Sequence, residues 1–375
     1  MRRMNVGSTP AHVLVIGGAG FIGSHLAEAF LRQGSAVTIY DNFSRGGATW
    51  NARRLREQTG DRLHVLHGDI RRLGSGFCHL LDTTDLVIHT AGQVAVTTSL
   101  RNPWADFEIN AVGTLKILEA IRGSRRRPSL IFSSTNKVYG GLEQLKTRPR
   151  AHRHVFANAP YGVPETHPLD FCSPYGCSKG ASEQYVLDYA RTYGLQAVVL
   201  RKSCIYGPHQ FGMEDQGWVA WLTIASLLGR PITIYGDGKQ LRDVLYIDDL
   251  VAVYRAVAQR MDAVSGQAFN IGGGPRFTLS LLELLELLTP LLGRAPTVRY
   301  QACRPSDQRV YVSDIRKAQR LLGWQPRVAP RDGVARLYQW AQANVALFRR
   351  GAPGVFRKRL KRVERVTKEK LKILY

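Results

Sequence analysis

Along the first two hundred residues, short unbroken apolar runs alternate with longer stretches in which apolar residues return every three or four positions. The runs His12–Ile16, Ala36–Tyr40, Leu63–Leu66, Leu86–His89, Leu130–Ser133 and Ala197–Leu200 read as buried strands. Between them, Asp106–Ile121 and Ser178–Tyr193 carry broad apolar stripes at helical spacing and read as amphipathic helices. Strands apolar on both faces, alternating with helices, predict an α/β fold with a Rossmann-type doubly wound parallel sheet. From Lys202 onward the pattern changes to loops rich in Gly, Pro and aromatics, mixed with helices such as Leu279–Leu288. That change predicts a second, smaller C-terminal α/β lobe.

The first strand runs straight into GGAGFIG and then an apolar-striped helix, so Gly17, Gly20 and Gly23 form a strand, glycine turn and helix. Such a turn lets backbone approach a pyrophosphate at a helix N-terminus, with Phe21 and Ile22 in the first helical turn. Asp41 ends the next strand about 20 residues on, where a carboxylate binds a ribose 2′-hydroxyl, with Asn42 beside it. That placement favours NAD over NADP. Arg45 nearby is the counter-signal, since a guanidinium can pair with a 2′-phosphate. Ligands of open parallel sheets sit beyond the carboxyl ends of strands, which puts Asp69, Ile70, Ala91, Gly92, Gln93, Ser134 and Thr135 around one crevice. Asp69 has an alternative role as a helix N-cap.

With 375 residues and 44% apolar content, the chain can bury one large or two interleaved cores. The expected division is 1–200 for the NAD-binding domain with 236–275 returning to it, 201–347 for the substrate lobe, and 348–375 as a basic tail. The glycines, His25 and Glu28 in the apolar stretch near the start argue against a membrane span or signal peptide, and a cytoplasmic protein is expected. Five scattered cysteines and the irregularly spaced His152, His154 and His167 suggest neither a disulfide framework nor a metal site. Cys177 reads as a packing thiol, with a reactive thiol as the alternative.

A net charge of +23 favours polyanions or phosphate-bearing substrates. From Arg349 to Tyr375 there are eleven Lys and Arg against two Glu. This tail approximates an amphipathic helix, so contact with an anionic membrane surface, docking of a partner and a solvated tail all stand open. Nucleic acid is not expected, because aromatics do not interleave with the basic residues.

LDFCSPYGCSKG, Leu169 to Gly180, sets Tyr175 four residues before Lys179, one helical turn apart on one face. A phenol beside an ammonium is a candidate proton acceptor for an alcohol. Together the glycine turn, Asp41, SSTNK and YGCSK resemble the extended short-chain dehydrogenase/reductase family, the nucleotide-sugar epimerases and dehydratases, from about His12 to about Trp340. The resemblance implies catalysis by Thr135, Tyr175 and Lys179. In it Tyr175 accepts a sugar hydroxyl proton, and Lys179 holds the nicotinamide ribose and lowers the Tyr175 pKa.

Within the family, the runs SSTNKVYG, DQGWVAW, GDGKQLRDVL and AGQVAVTTSLRNPWADFEIN are most similar to the branch that epimerises CDP-linked hexoses at C2. A C4 epimerase acting on a UDP- or GDP-sugar is the alternative, and a non-catalytic NAD-binding protein a more distant one. Dehydration requires an acid and a base directly after the threonine, and Asn136 and Lys137 occupy those places. Both are expected to bind substrate through the ketone or sugar hydroxyls, with a diphosphate contact or a surface charge as the alternatives for Lys137. His209 matches a sugar or phosphate contact. Arg242 and Arg304 match diphosphate-binding arginines, against ion pairs with Asp243 or Asp307. The apolar stripes of the helices around 106–121 and 178–193 are accounted for by core packing by default, and a homodimer through these two helices is the sharper alternative. The insertion from Gly141 to Pro168 is expected to lid the cleft.

Overall fold

The computed structural model describes residues 9–304 and 307–349. Seven parallel strands form the central sheet: β1 (His12–Ile16), β2 (Ala36–Asp41), β3 (Leu63–His67), β4 (Leu86–His89), β5 (Ser129–Thr135), β6 (Ala197–Lys202) and β7 (Gln267–Ile271). Their order is β7-β6-β5-β4-β1-β2-β3. Every residue of β4 and β5 is buried, as expected of strands covered by helices on both faces. At the edge, β3 has mostly exposed or half-buried positions. Because successive strands are added on opposite sides of β1, the order reverses between β1 and β4, and a crevice opens beyond their carboxyl ends.

Observed strands run slightly longer than the apolar runs, and the extra residues matter. β5 extends to Thr135 and β6 to Lys202, with the two residues side by side in parallel register. Polar residues at strand ends carry no hydrophobic signal, so the apolar pattern stops short of them. The stretch Asp106–Ile121 is divided into Pro103–Phe107, a π-helical turn Glu108–Val112, and Gly113–Gly123. The Asn110 carbonyl accepts the hydroxyls of Thr114 (2.6 Å) and Ser182 (2.9 Å). Side-chain donors inserted into the ladder in this way widen the turn.

The helix Ser173–Tyr193 packs along β5 and β6. It begins after Cys172, with Pro174 in its first turn, and stops at Gly194, whose φ of 65° suits glycine. A buried ion pair, Arg201 to Glu183 at 2.7 Å, ties the helix to β6. Glu183 also accepts from Ser134 of β5 at 2.6 Å, and Arg201 donates to the Tyr139 hydroxyl at 2.9 Å.

The C-terminal part is built on a second sheet centred on Leu241–Tyr246, paired with Cys204–Tyr206, Thr278–Ser280 and Val310–Tyr311. The insertion 141–168 forms a small hairpin, Thr147–Pro149 with His154–Phe156. It is fastened to this lobe through His154 and Asp237 (2.8 Å), a backbone bond from His154 to Lys239 (2.8 Å), and Arg153 with Glu283. No helix among the described residues is long and apolar enough to cross a membrane. The expected basic amphipathic segment lies, from residue 350 onward, outside the described residues.

Candidate active site

At the carboxyl end of β1 the chain turns through Gly17, whose φ is 79°. A Cβ there would stand 2.6 Å from the Ala91 nitrogen, and one on Gly23 would stand 2.2 Å from the Gly17 oxygen. Only glycine lets the turn, β4 and the first helix approach so closely. The helix Phe21–Arg32 starts at Gly20 with no side-chain cap, so its first-turn N–H groups face the crevice. An uncapped helix N-terminus of this kind suits an anion such as a pyrophosphate.

Gly17, Gly20, Phe21, Ile22, Gly23, Asp41, Asn42, Asp69, Ile70, Ala91, Gly92 and Gln93 all border one cleft of about 400 Å³. Asp41 accepts from the backbone nitrogens of Ala19 (3.0 Å) and Phe43 (2.7 Å), so it shapes the turn it faces. Burial pushes its carboxyl pKa up, and these bonds oppose the rise. Asp69 accepts from Asn42 at 3.2 Å and from the Arg71 backbone and guanidinium, which hold it well below the usual carboxylate range. It closes a two-residue turn rather than capping a helix. The Gln93 side chain is committed to Ala95 and Asp106, and its backbone N–H and C=O are both bonded to the Asn110 amide, so Gln93 borders the cleft as a fixed wall. These residues fit NAD: a capless helix end for the pyrophosphate, and at the tip of β2 a carboxylate that would repel a 2′-phosphate.

Tyr175 and Lys179 lie on one face of their helix and are 7% and 4% exposed. Ser173, just before them, is held at φ 71°, a strained conformation for serine at the point that aims the tyrosine. Burial pushes the Tyr175 phenol up to about 12; a hydrogen bond with Thr135 and the charge of Arg45 oppose that rise. Thr135 and Arg45 are thus the groups that favour the ionised phenol, while the charge of Asp106 adds to the rise. The Lys179 ammonium sits 4.1 Å from the centroid of the Phe132 ring, and burial pushes it down to about 7. Arg45 borders the same cleft, within electrostatic reach of Tyr175.

Asn136 is buried, accepts from Thr135 at 3.4 Å and donates to Gln308 at 3.5 Å. The half-buried Lys137 ammonium is pushed down to about 8, first by burial and then by Arg242, with Asp307 opposing. Arg242 pairs with Asp307 at 2.6 Å, so Lys137 and Arg242 share one carboxylate. Arg304 stands apart from them, 4.0 Å from the centroid of Tyr235 and 3.5 Å from Asp215, rather than against Asp307. The ring of His209 is stacked on His25 at 5.0 Å and lies edge-on to Trp340 at 5.5 Å. Burial pushes it down to about 3, which makes it a neutral packing ring at the rim of the cleft. Among the described residues no group of three His, Cys, Asp or Glu is placed to hold a metal ion.

Two groups at the site were not singled out from the sequence. One is the buried Asp106–Asn110–Ser178 network, in which Asn110 donates to Ser178 at 3.0 Å and Asp106 accepts from both. The other is Lys202, which borders the cleft beyond the end of β6. The carboxyl-end rule that picked out Thr135 would have found it, had β6 been read two residues longer.

Residues 13–272 match the NAD dependent epimerase/dehydratase family. The chain is 44% identical over 344 residues to CDP-paratose 2-epimerase of Salmonella typhi, an alignment covering 88% of this chain and 99% of that protein. It is 31% identical to a putative UDP-glucose 4-epimerase of Methanocaldococcus jannaschii, with 88% and 99% covered. Among solved structures, UDP-glucuronic acid 4-epimerase of Bacillus cereus, in complex with UDP-glucuronic acid and NAD, superposes with a TM-score of 0.76 at 29% identity, covering 89% of this chain and 99% of that one. With its dinucleotide cleft and its buried threonine, tyrosine and lysine, the chain belongs to the NAD dependent epimerase/dehydratase family and is an NAD-dependent nucleotide-sugar epimerase.

Proposed function

We propose that this enzyme inverts C2 of a CDP-linked hexose, the CDP-paratose/CDP-tyvelose type of epimerisation. The observation that carries this reading is the pair Asn136–Lys137 directly after Thr135, together with the 44% identity to a CDP-paratose 2-epimerase. An amide and an ammonium cannot act as the acid and base that dehydration needs beside a ketone. They suit a ketone that must be held and then released.

NAD, held by the Gly17–Gly23 turn and by Asp41, would supply a reversible hydride acceptor, so that the sugar carbon could be inverted with no net oxidation. Tyr175 receives the hydroxyl proton and gives it back, with Thr135 hydrogen-bonded to the phenol in both steps. The depressed pKa of Lys137 makes its ammonium a ready donor toward the ketone oxygen, and Asn136 adds a neutral donor once it leaves Gln308. Arg242, half committed to Asp307, would exchange that carboxylate for the diphosphate.

The test is to incubate the purified protein with CDP-, UDP- and GDP-hexoses and read the C2 and C4 configurations by NMR. Inversion at C2 of a CDP-hexose is the expected result. Inversion only at C4 of a UDP- or GDP-sugar would defeat the C2 assignment.

A further inference from the structure

Lys202 has no role in the account so far. It is the last residue of β6, in register with Thr135 on β5 and Ile271 on β7, and it borders the dinucleotide cleft. Among the described residues its ammonium has no hydrogen-bond or ion-pair partner. Its electrostatic neighbours are Lys179 from the helix Ser173–Tyr193 and the buried His89 at the end of β4. Burial pushes both ammoniums down to about 7, and His89 is neutral, pushed down to about 3. Holding an uncompensated cation in such a place costs stability, and nothing else in the structure recovers that cost.

We infer that Lys202 is a second cation of the hydride-transfer site, which raises the reduction potential of the bound nicotinamide and so makes it a stronger acceptor of the substrate hydride. Its position supports this. Thr135 and Tyr175 mark where the reacting hydroxyl lies, so the nicotinamide must end beside them, at the carboxyl ends of β4, β5 and β6. An oxidised nicotinamide carries a positive charge that the reduced ring lacks. A fixed cation bordering the same cleft, at low effective dielectric, therefore disfavours the oxidised form. The balance is unchanged: the hydride passes from the sugar C–H to the nicotinamide, the hydroxyl proton passes to Tyr175, and both return in the second half-reaction. Lys202 exchanges nothing with the substrate, and the inference does not depend on which sugar carbon reacts.

The test is a redox titration of the holoenzyme against a mediator dye at pH 6, where Lys202 is charged, with bound NADH read from its absorbance. Lys202→Met and Lys202→Gln should each lower the ratio of bound NADH to NAD at fixed potential roughly tenfold, about 30 mV for a two-electron couple. Lys202→Arg should hold the wild-type value. The glutamine variant separates charge from hydrogen bonding, because it keeps a donor without the charge. A wild-type potential in Lys202→Gln or Lys202→Met would overturn the inference, as would variants that lose cofactor without a shift in potential.

Discussion

At Tyr175 the chemistry depends on two opposing effects. Burial drives the phenol up to about 12, while Thr135 and Arg45 favour its ionised form. Replacing Tyr175 with Phe removes the proton acceptor and should lower kcat by roughly 10²–10⁴ with little change in folding. Thr135→Val is the more informative variant. With the hydrogen bond gone, the ionised phenol loses a stabilising donor, so its pKa rises further. The acid limb of the kcat/KM profile should therefore move to higher pH, by steady-state kinetics across the accessible range. An unmoved limb would take the Thr135 hydroxyl out of the proton transfer. The spacing of Tyr175 and Lys179 was legible in the sequence because i and i+4 share a helix face. The direction of the phenol shift was not, because it depends on how completely the surrounding chain excludes water and on Arg45, which arrives from a loop 130 residues earlier.

The glycine turn is the element that joins β1, β4 and the first helix, and it was readable because each of its parts has a local cause. Gly17 needs its left-handed φ, and Gly23 needs the space its missing Cβ leaves. Gly23→Ala would drive a methyl against the Gly17 oxygen and the Gly18 Cα, both backbone and unable to rotate away. We expect it to cost about 1–3 kcal/mol of stability and to abolish NAD retention, measured by thermal unfolding and by the cofactor released from denatured protein. Full cofactor occupancy in that variant would contradict the packing argument. The π turn at Glu108–Val112 was hidden, because the hydroxyls that widen it come from Thr114 in the next turn and Ser182 in another helix. Periodicity along one helix cannot register a donor that arrives from elsewhere. His209 and Arg304 show the same limit: motif position identified them, but an aromatic cluster and a pair of acidic residues decided what they touch.

Two properties of the whole molecule follow from what it buries and what it leaves exposed. Lys179 and Lys202 have folded-state pKa values near 7 against the ordinary 10.5. Between those values the unfolded chain binds protons that the folded chain has released, so stability rises with pH through that window, and below about 7 the full cost of the buried charges is present. Lys202→Met should accordingly melt higher than wild type at pH 6, with the difference shrinking toward pH 10; a constant difference in thermal melts would mean the charge is not the cause. What stays exposed bears on assembly. We propose that the chain forms a homodimer through the helices Val96–Arg101, Pro103–Phe107 and Ser173–Tyr193, slightly earlier in the chain than the helical stripe alone suggested. Leu100, Trp104, Phe107 and Tyr185 are large apolar residues left open on these neighbouring helices, Trp104 being 69% exposed. Several large apolar residues left open on packed neighbouring helices are uncommon on a monomer and suit an isologous helix-pair interface. The same helices hold Tyr175, Asp106 and Ser178, so dimerisation would brace the catalytic helix from its outer side. Trp104→Arg places a charge among these residues, and sedimentation equilibrium should find the variant monomeric where wild type is dimeric, with activity reduced but NAD still bound. A wild-type protein that sediments as a monomer, or a dimer undisturbed by Trp104→Arg, would place the interface elsewhere.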